Sequence, residues 1–217
     1  MSTLQHPNIA ERRRRGTEPE VAEHFTGSKR YFDARENVHV VKVFSGDLHV
    51  SHAGGEMLTT ILGSCVSACI RDPLTGVGGM NHFLLPGDEN SDSQVSESAR
   101  YGVFAMESLI NGILKAGGRK DRFEIKVFGG GNVMNNSARI GSQNARFIRE
   151  FLHKEGFRIA SEDLEGDYPR RLHYYPDTGK VMLRHLRRKE DMVVVEEEAR
   201  YKRAIVTKPM ISDIELF

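Results

Sequence analysis

At 217 residues and 24.5 kDa, the chain has room for one domain with arms and enough length to bury a full core without staples. Lysine and arginine number 31 against 30 aspartates and glutamates, a net charge of +1, which excludes a whole-domain electrostatic footprint for nucleic acid. No apolar run is long enough for a membrane span, and no apolar stretch follows the basic N-terminus. Two cysteines four positions apart make no disulfide framework, so the expected home is a reducing cytoplasm, without membrane insertion.

Residues 1–37 are poor in apolar side chains and carry Arg12, Arg13, Arg14 and Arg15 in a row. They read as a flexible or loosely docked arm. From Val38 the pattern changes. Val38 to Phe44 and Asp47 to Ser51 are rich in β-branched residues and predict strands. Met57 to Leu62 and Cys65 to Ile70 predict two more, separated by Gly63-Ser64. Arg71 to Gly76 is a turn by its Asp, Pro and Gly, and Val77 to Leu85 is a further strand. Residues 87–94 read as a loop.

The spacing of Ala99, Val103, Met106, Ile110, Ile113 and Leu114 predicts a helix that stops at Gly117-Gly118. Phe123 to Phe128 alternates as a strand. Gly129-Gly130-Gly131-Asn132 then breaks the chain. It lacks the Lys and Thr of a phosphate loop, so it reads as a tight turn forming one wall of a cleft. A second helix is expected from about Ser142, as its cap, to Glu155, with Ala145, Ile148, Phe151 and Leu152 inward. Strands are expected over Phe157–Ser161, Arg171–Tyr175 and Lys180–Leu186. The segment 187–217 is an extension in which Met192–Val195 reads as an edge strand. This order predicts an α+β fold: a layered α/β sandwich with mixed or antiparallel sheets and two long helices outside. The domain spans residues 38–186.

The chemistry concentrates around Cys65. A cysteine directly after Gly63-Ser64, where the chain turns into a strand, sits beside backbone N–H groups. A thiol nucleophile needs such donors for the oxyanion it creates, and it needs a base. His82 lies 17 residues on, across a short turn, on the next strand. Thr59 or Thr60 supplies a hydroxyl able to orient the imidazole. Most free cysteines are buried and inert, so a core role stays open for Cys65. Cys69, with no turn beside it, reads as core. A Cys65/Cys69/His82 zinc site lacks a fourth ligand at a suitable spacing. His39, His49 and His52 read as scattered imidazoles rather than a metal cluster.

These residues fall in an ordered set. It runs Thr59-x-x-Leu62-Gly63-Ser64-Cys65-Val66, Asp72-Pro73 and Gly78-Gly79-Met80-Asn81-His82-Phe83-Leu84-Leu85-Pro86, then Arg100-Tyr101 and Ala105-Met106. Gly129-Gly130-Gly131-Asn132-Val133-Met134, Ile140-Gly141-x-x-Asn144-Ala145, Glu162-Asp163-Leu164-x-Gly166 and Tyr175-x-x-Thr178-Gly179 complete it. The set closely resembles the CheD family of chemoreceptor glutamine deamidases. The resemblance implies a layered α/β sandwich and hydrolysis of selected glutamine side chains on the cytoplasmic helices of methyl-accepting chemoreceptors. It implies Cys65 as nucleophile, His82 as general base and Thr59, six before the cysteine, as third catalytic residue. Thr60 stands one position away, and strand alternation allows only one of the two to face the site. The resemblance calls for no metal and no organic cofactor. It suggests the CheC phosphatase as a partner in some bacteria. The rival expectation is a catalytically silent adaptor that binds receptor helices or CheC.

Overall fold

The computed structural model describes residues 29–52, 54–85, 92–133 and 138–186. Ten strands and two long helices build three layers. The strands are β1 (Lys29–Asp33), β2 (Val38–Lys42), β3 (Leu48–Ser51), β4 (Glu56–Leu62), β5 (Val66–Arg71) and β6 (Gly78–Asn81). They continue with β7 (Glu124–Gly129), β8 (Ile159–Leu164), β9 (Arg170–Tyr175) and β10 (Lys180–His185). The helices are α1 (Asp92–Lys115) and α2 (Ala138–Lys154). One five-stranded sheet, the outer sheet, has the order β1-β2-β4-β9-β10. The other, the central sheet, has the order β3-β6-β5-β7-β8. Each is mixed: β2–β4 and β7–β8 are parallel pairs, and the remaining pairs are antiparallel. The α+β layered class expected from the element order is the observed one.

Side-chain alternation explains how the layers stack. On β5, Val66, Ala68 and Ile70 face the helices and join Met106, Leu109, Ile113, Ile148 and Leu152 in one buried cluster. Cys65 and Cys69, one position out of phase, face the outer sheet instead and pack with Val41, Leu58, Leu62, Leu172 and Tyr174. The central sheet is therefore apolar on both faces, which is why Val66 to Ile70 is buried throughout rather than alternating. α2 presents Ala145, Ile148, Phe151 and Leu152 to the sheet, as its spacing predicts. On α1 the buried stripe is Met106, Leu109, Ile110 and Ile113, while Leu114 is 37 % exposed. The expected inward role of Leu114 is thus corrected in favour of Leu109, which keeps the three- and four-residue spacing.

Several boundaries differ from expectation: β6 ends at Asn81 rather than Leu85, and β8 runs Ile159–Leu164 rather than Phe157–Ser161. Lys29–Asp33 pairs antiparallel with β2 as the edge of the outer sheet, so the end of the supposed arm belongs to the fold. Its alternating Tyr31 and Phe32 are about half exposed, which left little apolar signal to read. α2 begins about one turn earlier, at Ala138, so Ser142 lies inside it and caps nothing, and α1 begins at Asp92, inside the stretch 87–94 expected to be a loop. The remainder of the arm, residues 1–28, and the extension 187–217 with its Met192–Val195 strand lie outside the described residues.

The chain passes from the outer sheet to the central sheet twice, between β2 and β3 and, at a sharp corner formed by Gly63-Ser64-Cys65, between β4 and β5. Around this corner gather the C-terminal ends of β2, β4, β6 and β7 and the start of α2.

Candidate active site

The corner is held by its carbonyls. Gly131 N–H donates to Gly63 O at 2.7 Å and Gly130 N–H to Cys65 O at 2.7 Å. Gly129 has φ +115°, and a Cβ there would lie 2.1 Å from Cys65 O. Only glycine permits that conformation and that approach. The expected wall of a cleft is thus a brace behind the Cys65 corner. Between the two glycine contacts, Asn144 Nδ2 donates to Ser64 O at 3.0 Å.

Register then relates Cys65 to His82. Cys69 pairs with Met80, and Val66 forms a bridge with Phe83 in which both N–H groups donate, each at 2.9 Å. The same antiparallel register sets Cys65 opposite Leu84, with His82 two residues before it. Both side chains therefore lie on the face toward the outer sheet. They are diagonal neighbours, a relation that puts Cβ atoms roughly 7 Å apart, within reach of longer side chains. Both residues are buried, Cys65 at 0 % exposure and His82 at 5 %.

The imidazole is oriented from the outer sheet. Thr60 Oγ1 lies 2.8 Å from His82 Nδ1, and Val43 O lies 3.4 Å from the same nitrogen. A carbonyl only accepts, so the arrangement favours the tautomer with the proton on Nδ1 and a bare Nε2. Thr59 points elsewhere: its hydroxyl donates to Leu172 O at 2.9 Å. The threonine expected beside His82 is Thr59; the one the fold places there is Thr60, and the reason is strand phase. Leu58 and Leu62 on β4 pack between the sheets, so Thr60 points there as well, whereas Thr59 shares the opposite face with Met57. Counting positions before the cysteine did not settle the phase; the packing of Leu58 and Leu62 between the sheets does.

The turn after β2 is a further part of the site that the sequence reading missed. Gly46 N–H donates to His82 O at 2.7 Å, and His82 N–H donates to Asp47 O at 2.9 Å. Both backbone groups of the histidine are thereby fixed. The same turn brings Ser45 Oγ to 3.7 Å from Cys65 Sγ. Nothing in Phe44-Ser45-Gly46-Asp47 distinguishes it from an ordinary turn in sequence; its partners in the site are 20 to 36 residues away.

Cys69 sits four residues from Cys65 on the same strand face, a separation of about 13 Å along a strand. The two sulfurs cannot share one tetrahedral ion with bonds of about 2.3 Å, which disposes of the Cys65/Cys69/His82 zinc arrangement. Burial pushes the Cys69 thiol far above its ordinary value, against smaller opposing effects of Ser67 and Lys126. Of the other histidines, His49 pairs with Glu56 at 3.1 Å and His185 with Asp163 at 3.1 Å, both away from the corner. No helix among the described residues is long and apolar enough to cross a membrane.

A layered α/β/β sandwich with a thiol, an imidazole and a threonine hydroxyl at its sheet-to-sheet corner defines a class for which known proteins offer a direct comparison. The family model described as CheD chemotactic sensory transduction matches residues 84–185, beginning two residues after His82. A Rhodopseudomonas palustris protein is 53 % identical over 191 residues, covering 87 % of this chain and 89 % of its own. A Janthinobacterium protein is 46 % identical over 199 residues, covering 90 % and 97 %. One from Hydrogenovibrio crunogenus is 44 % identical over 187 residues, covering 85 % and 97 %. All three carry the name "Probable chemoreceptor glutamine deamidase CheD". The chain belongs to the CheD family.

Proposed function

We propose that this protein deamidates glutamine side chains of chemoreceptors, giving glutamate and ammonia, with Cys65 as nucleophile and His82 as general base. The observation that carries the reading is the shared face of Cys65 and His82 together with the 2.8 Å contact between Thr60 Oγ1 and His82 Nδ1. With Val43 O beside the same nitrogen, that contact leaves Nε2 as the basic nitrogen, and the names of the relatives supply the substrate class.

The steps follow from the groups present. His82 Nε2 takes the thiol proton, and Cys65 Sγ attacks the carboxamide carbon of the glutamine. The carbonyl oxygen becomes an oxyanion, which the backbone N–H groups of Ser64 and Cys65 receive. The imidazolium returns its proton to the amide nitrogen, because ammonia leaves far more readily than an amide anion. Water, deprotonated by His82, attacks the thioester; glutamate departs and the thiol is regenerated. Thr60 acts where other cysteine–histidine hydrolases use Asn or Asp, holding the ring and its tautomer. No step needs a metal or an organic cofactor. Cys65 is wholly buried, so the groups covering the corner have to give way before a target side chain or a small alkylating reagent meets the sulfur.

Each turnover adds one negative charge to a receptor helix. Neighbouring helices then repel slightly more, which biases a signalling element poised between two states. The activity belongs in the cytoplasm, where the receptor signalling helices lie. The test is ammonia release from a receptor cytoplasmic fragment, with the modified glutamines located by mass spectrometry. Deamidation that alkylation of Cys65 prevents is the expected result. Binding of the fragment or of CheC without ammonia release makes the protein an adaptor instead.

A further inference from the structure

Asn144 is fully buried on α2, and its amide makes three hydrogen bonds, all to backbone. Oδ1 accepts from Leu85 N–H at 2.9 Å, and Nδ2 donates to Ser64 O at 3.0 Å and to Ile140 O at 3.0 Å. The orientation of the amide is therefore settled by its partners. A flip would set its oxygen against two carbonyls and its nitrogen against an N–H.

Two of these partners bracket the reacting side chains: Ser64 directly precedes Cys65, and Leu85 lies three residues beyond His82. The peptide between Ser64 and Cys65 is trans, as are the others described, so its C=O and N–H point in opposite directions within one plane. Holding Ser64 O toward α2 thus aims Cys65 N–H away from α2. Of the three carbonyls braced at the corner, Gly63 and Cys65 are held by backbone N–H groups. The middle one, which sets the direction of Cys65 N–H, is held by the Asn144 side chain.

We propose that Asn144 is a positioning residue for the deamidation. It locks the Ser64–Cys65 peptide plane so that Cys65 N–H is pre-aimed at the oxyanion, and it ties that plane to the strand end carrying His82. The proposal rests on the deamidase reading above. It assigns Asn144 a role that becomes visible only when an oxyanion forms.

That condition supplies the test. Alkylation of Cys65 by iodoacetamide displaces iodide from a tetrahedral carbon and creates no oxyanion, whereas glutamine hydrolysis creates one twice. Asn144→Asp keeps the volume and the Leu85 contact but sets a carboxylate oxygen against Ser64 O. Asn144→Ala removes the clamp. In the full-length protein, kcat for ammonia release from a receptor fragment is expected to fall about 10²-fold in either variant. KM and the rate of Cys65 alkylation, read by peptide mass, should stay within about threefold of the unmodified protein. Wild-type turnover in either variant overturns the proposal. So does alkylation that falls in step with turnover, because the clamp then serves the thiol rather than the oxyanion. If Asn144→Ala does not fold, Asn144→Asp carries the measurement; loss of the fold in both also overturns it. Absence of ammonia release from the wild-type protein would instead sink the deamidase reading itself.

Discussion

The two ends of β5 are both buried and both polar, yet they are built for different purposes. At the start of the strand, Cys65 meets Ser45, shares a face with His82, and lies at a corner braced by Gly130, Gly131 and Asn144. Past its end, Asp72 is fully buried and accepts from Arg122, Leu74 N–H and Arg119 N–H. Both carboxylate oxygens of Asp72 are spent on protein donors. At the near end the polar atoms converge on a sulfur and an imidazole, groups whose chemistry allows a change of protonation. The far end reads as a device for stability and the near end as one for chemistry. Cys69, between them on the same face as Cys65, shows what burial alone does: its thiol is driven up and away from the reactive thiolate.

The strongest test of this contrast exchanges the cysteines one at a time. Cys65→Ala should abolish ammonia release, a loss beyond about 10³-fold, because no other group at the corner forms the covalent intermediate. Cys69→Ala removes one buried sulfur from the apolar layer and should leave kcat within about threefold, at a stability cost on the order of 1 kcal/mol. Full activity in the first variant, or loss of turnover in a folded second one, would break the division between the two ends.

A finer test separates the adjacent threonines. Thr60→Val keeps the shape of the side chain and deletes the hydroxyl at His82 Nδ1. It should lower kcat by roughly 10- to 100-fold while leaving alkylation of Cys65 measurable. Thr59→Val deletes only the bond to Leu172 O, so it should cost about 1 kcal/mol in denaturant unfolding and little turnover. The reverse pattern would return the third role to Thr59.

This pair of residues also marks how far the sequence could be read. Cysteine, histidine and their spacing were legible, because a Gly-Ser-Cys corner and a histidine on the next strand are local features. The layered class was legible from the order of apolar runs. The phase of β4 was not: Met57, Leu58, Thr59 and Thr60 are all buried, so no alternation marks the inward face. The contribution of Val43, Ser45 and Asp47 was hidden for a different reason. Their partners are His82 and Cys65, and no local pattern reports a contact across two sheets. β1 went unread because an edge strand with exposed Tyr31 and Phe32 buries little and leaves no periodic trace.

At the far end the expected effect is on stability and on pH. Burial works against ionisation of Asp72, but Arg122 and the Leu74 and Arg119 N–H groups outweigh it and hold the carboxyl down to about 2, from an ordinary 3.8. A carboxyl depressed by folding contributes stability that is complete above its unfolded value and is lost as pH falls through its folded value. Asp72→Asn should therefore lower Tm by roughly 5–10 °C at pH 7, with the gap from wild type closing between pH 4 and pH 2. Turnover per folded molecule should be unchanged at neutral pH. A Tm difference that persists at pH 2, or a fall in kcat without unfolding, would show that the far end is not the purely structural cluster drawn here.

The smallest effect expected is at Ser45, and it bears most directly on what distinguishes one thiol from the other. Both cysteines have a serine hydroxyl nearby, Ser45 for Cys65 and Ser67 for Cys69. Ser67 already donates to Asn81 O, so its hydroxyl proton is committed to the backbone. Ser45, part-exposed on its turn, can turn its proton to Sγ as the thiolate forms. A donor at 3.7 Å from sulfur is a long contact, so the gain is modest. Ser45→Ala should shift the pH profile of Cys65 alkylation upward by a few tenths of a unit and slow alkylation at pH 7 by about two- to fivefold. Ser67→Ala should leave that profile where it was, since its hydroxyl serves the sheet. A profile unmoved by Ser45→Ala would mean that the hydroxyl only accepts from the neutral thiol, leaving His82 to carry the activation of the sulfur.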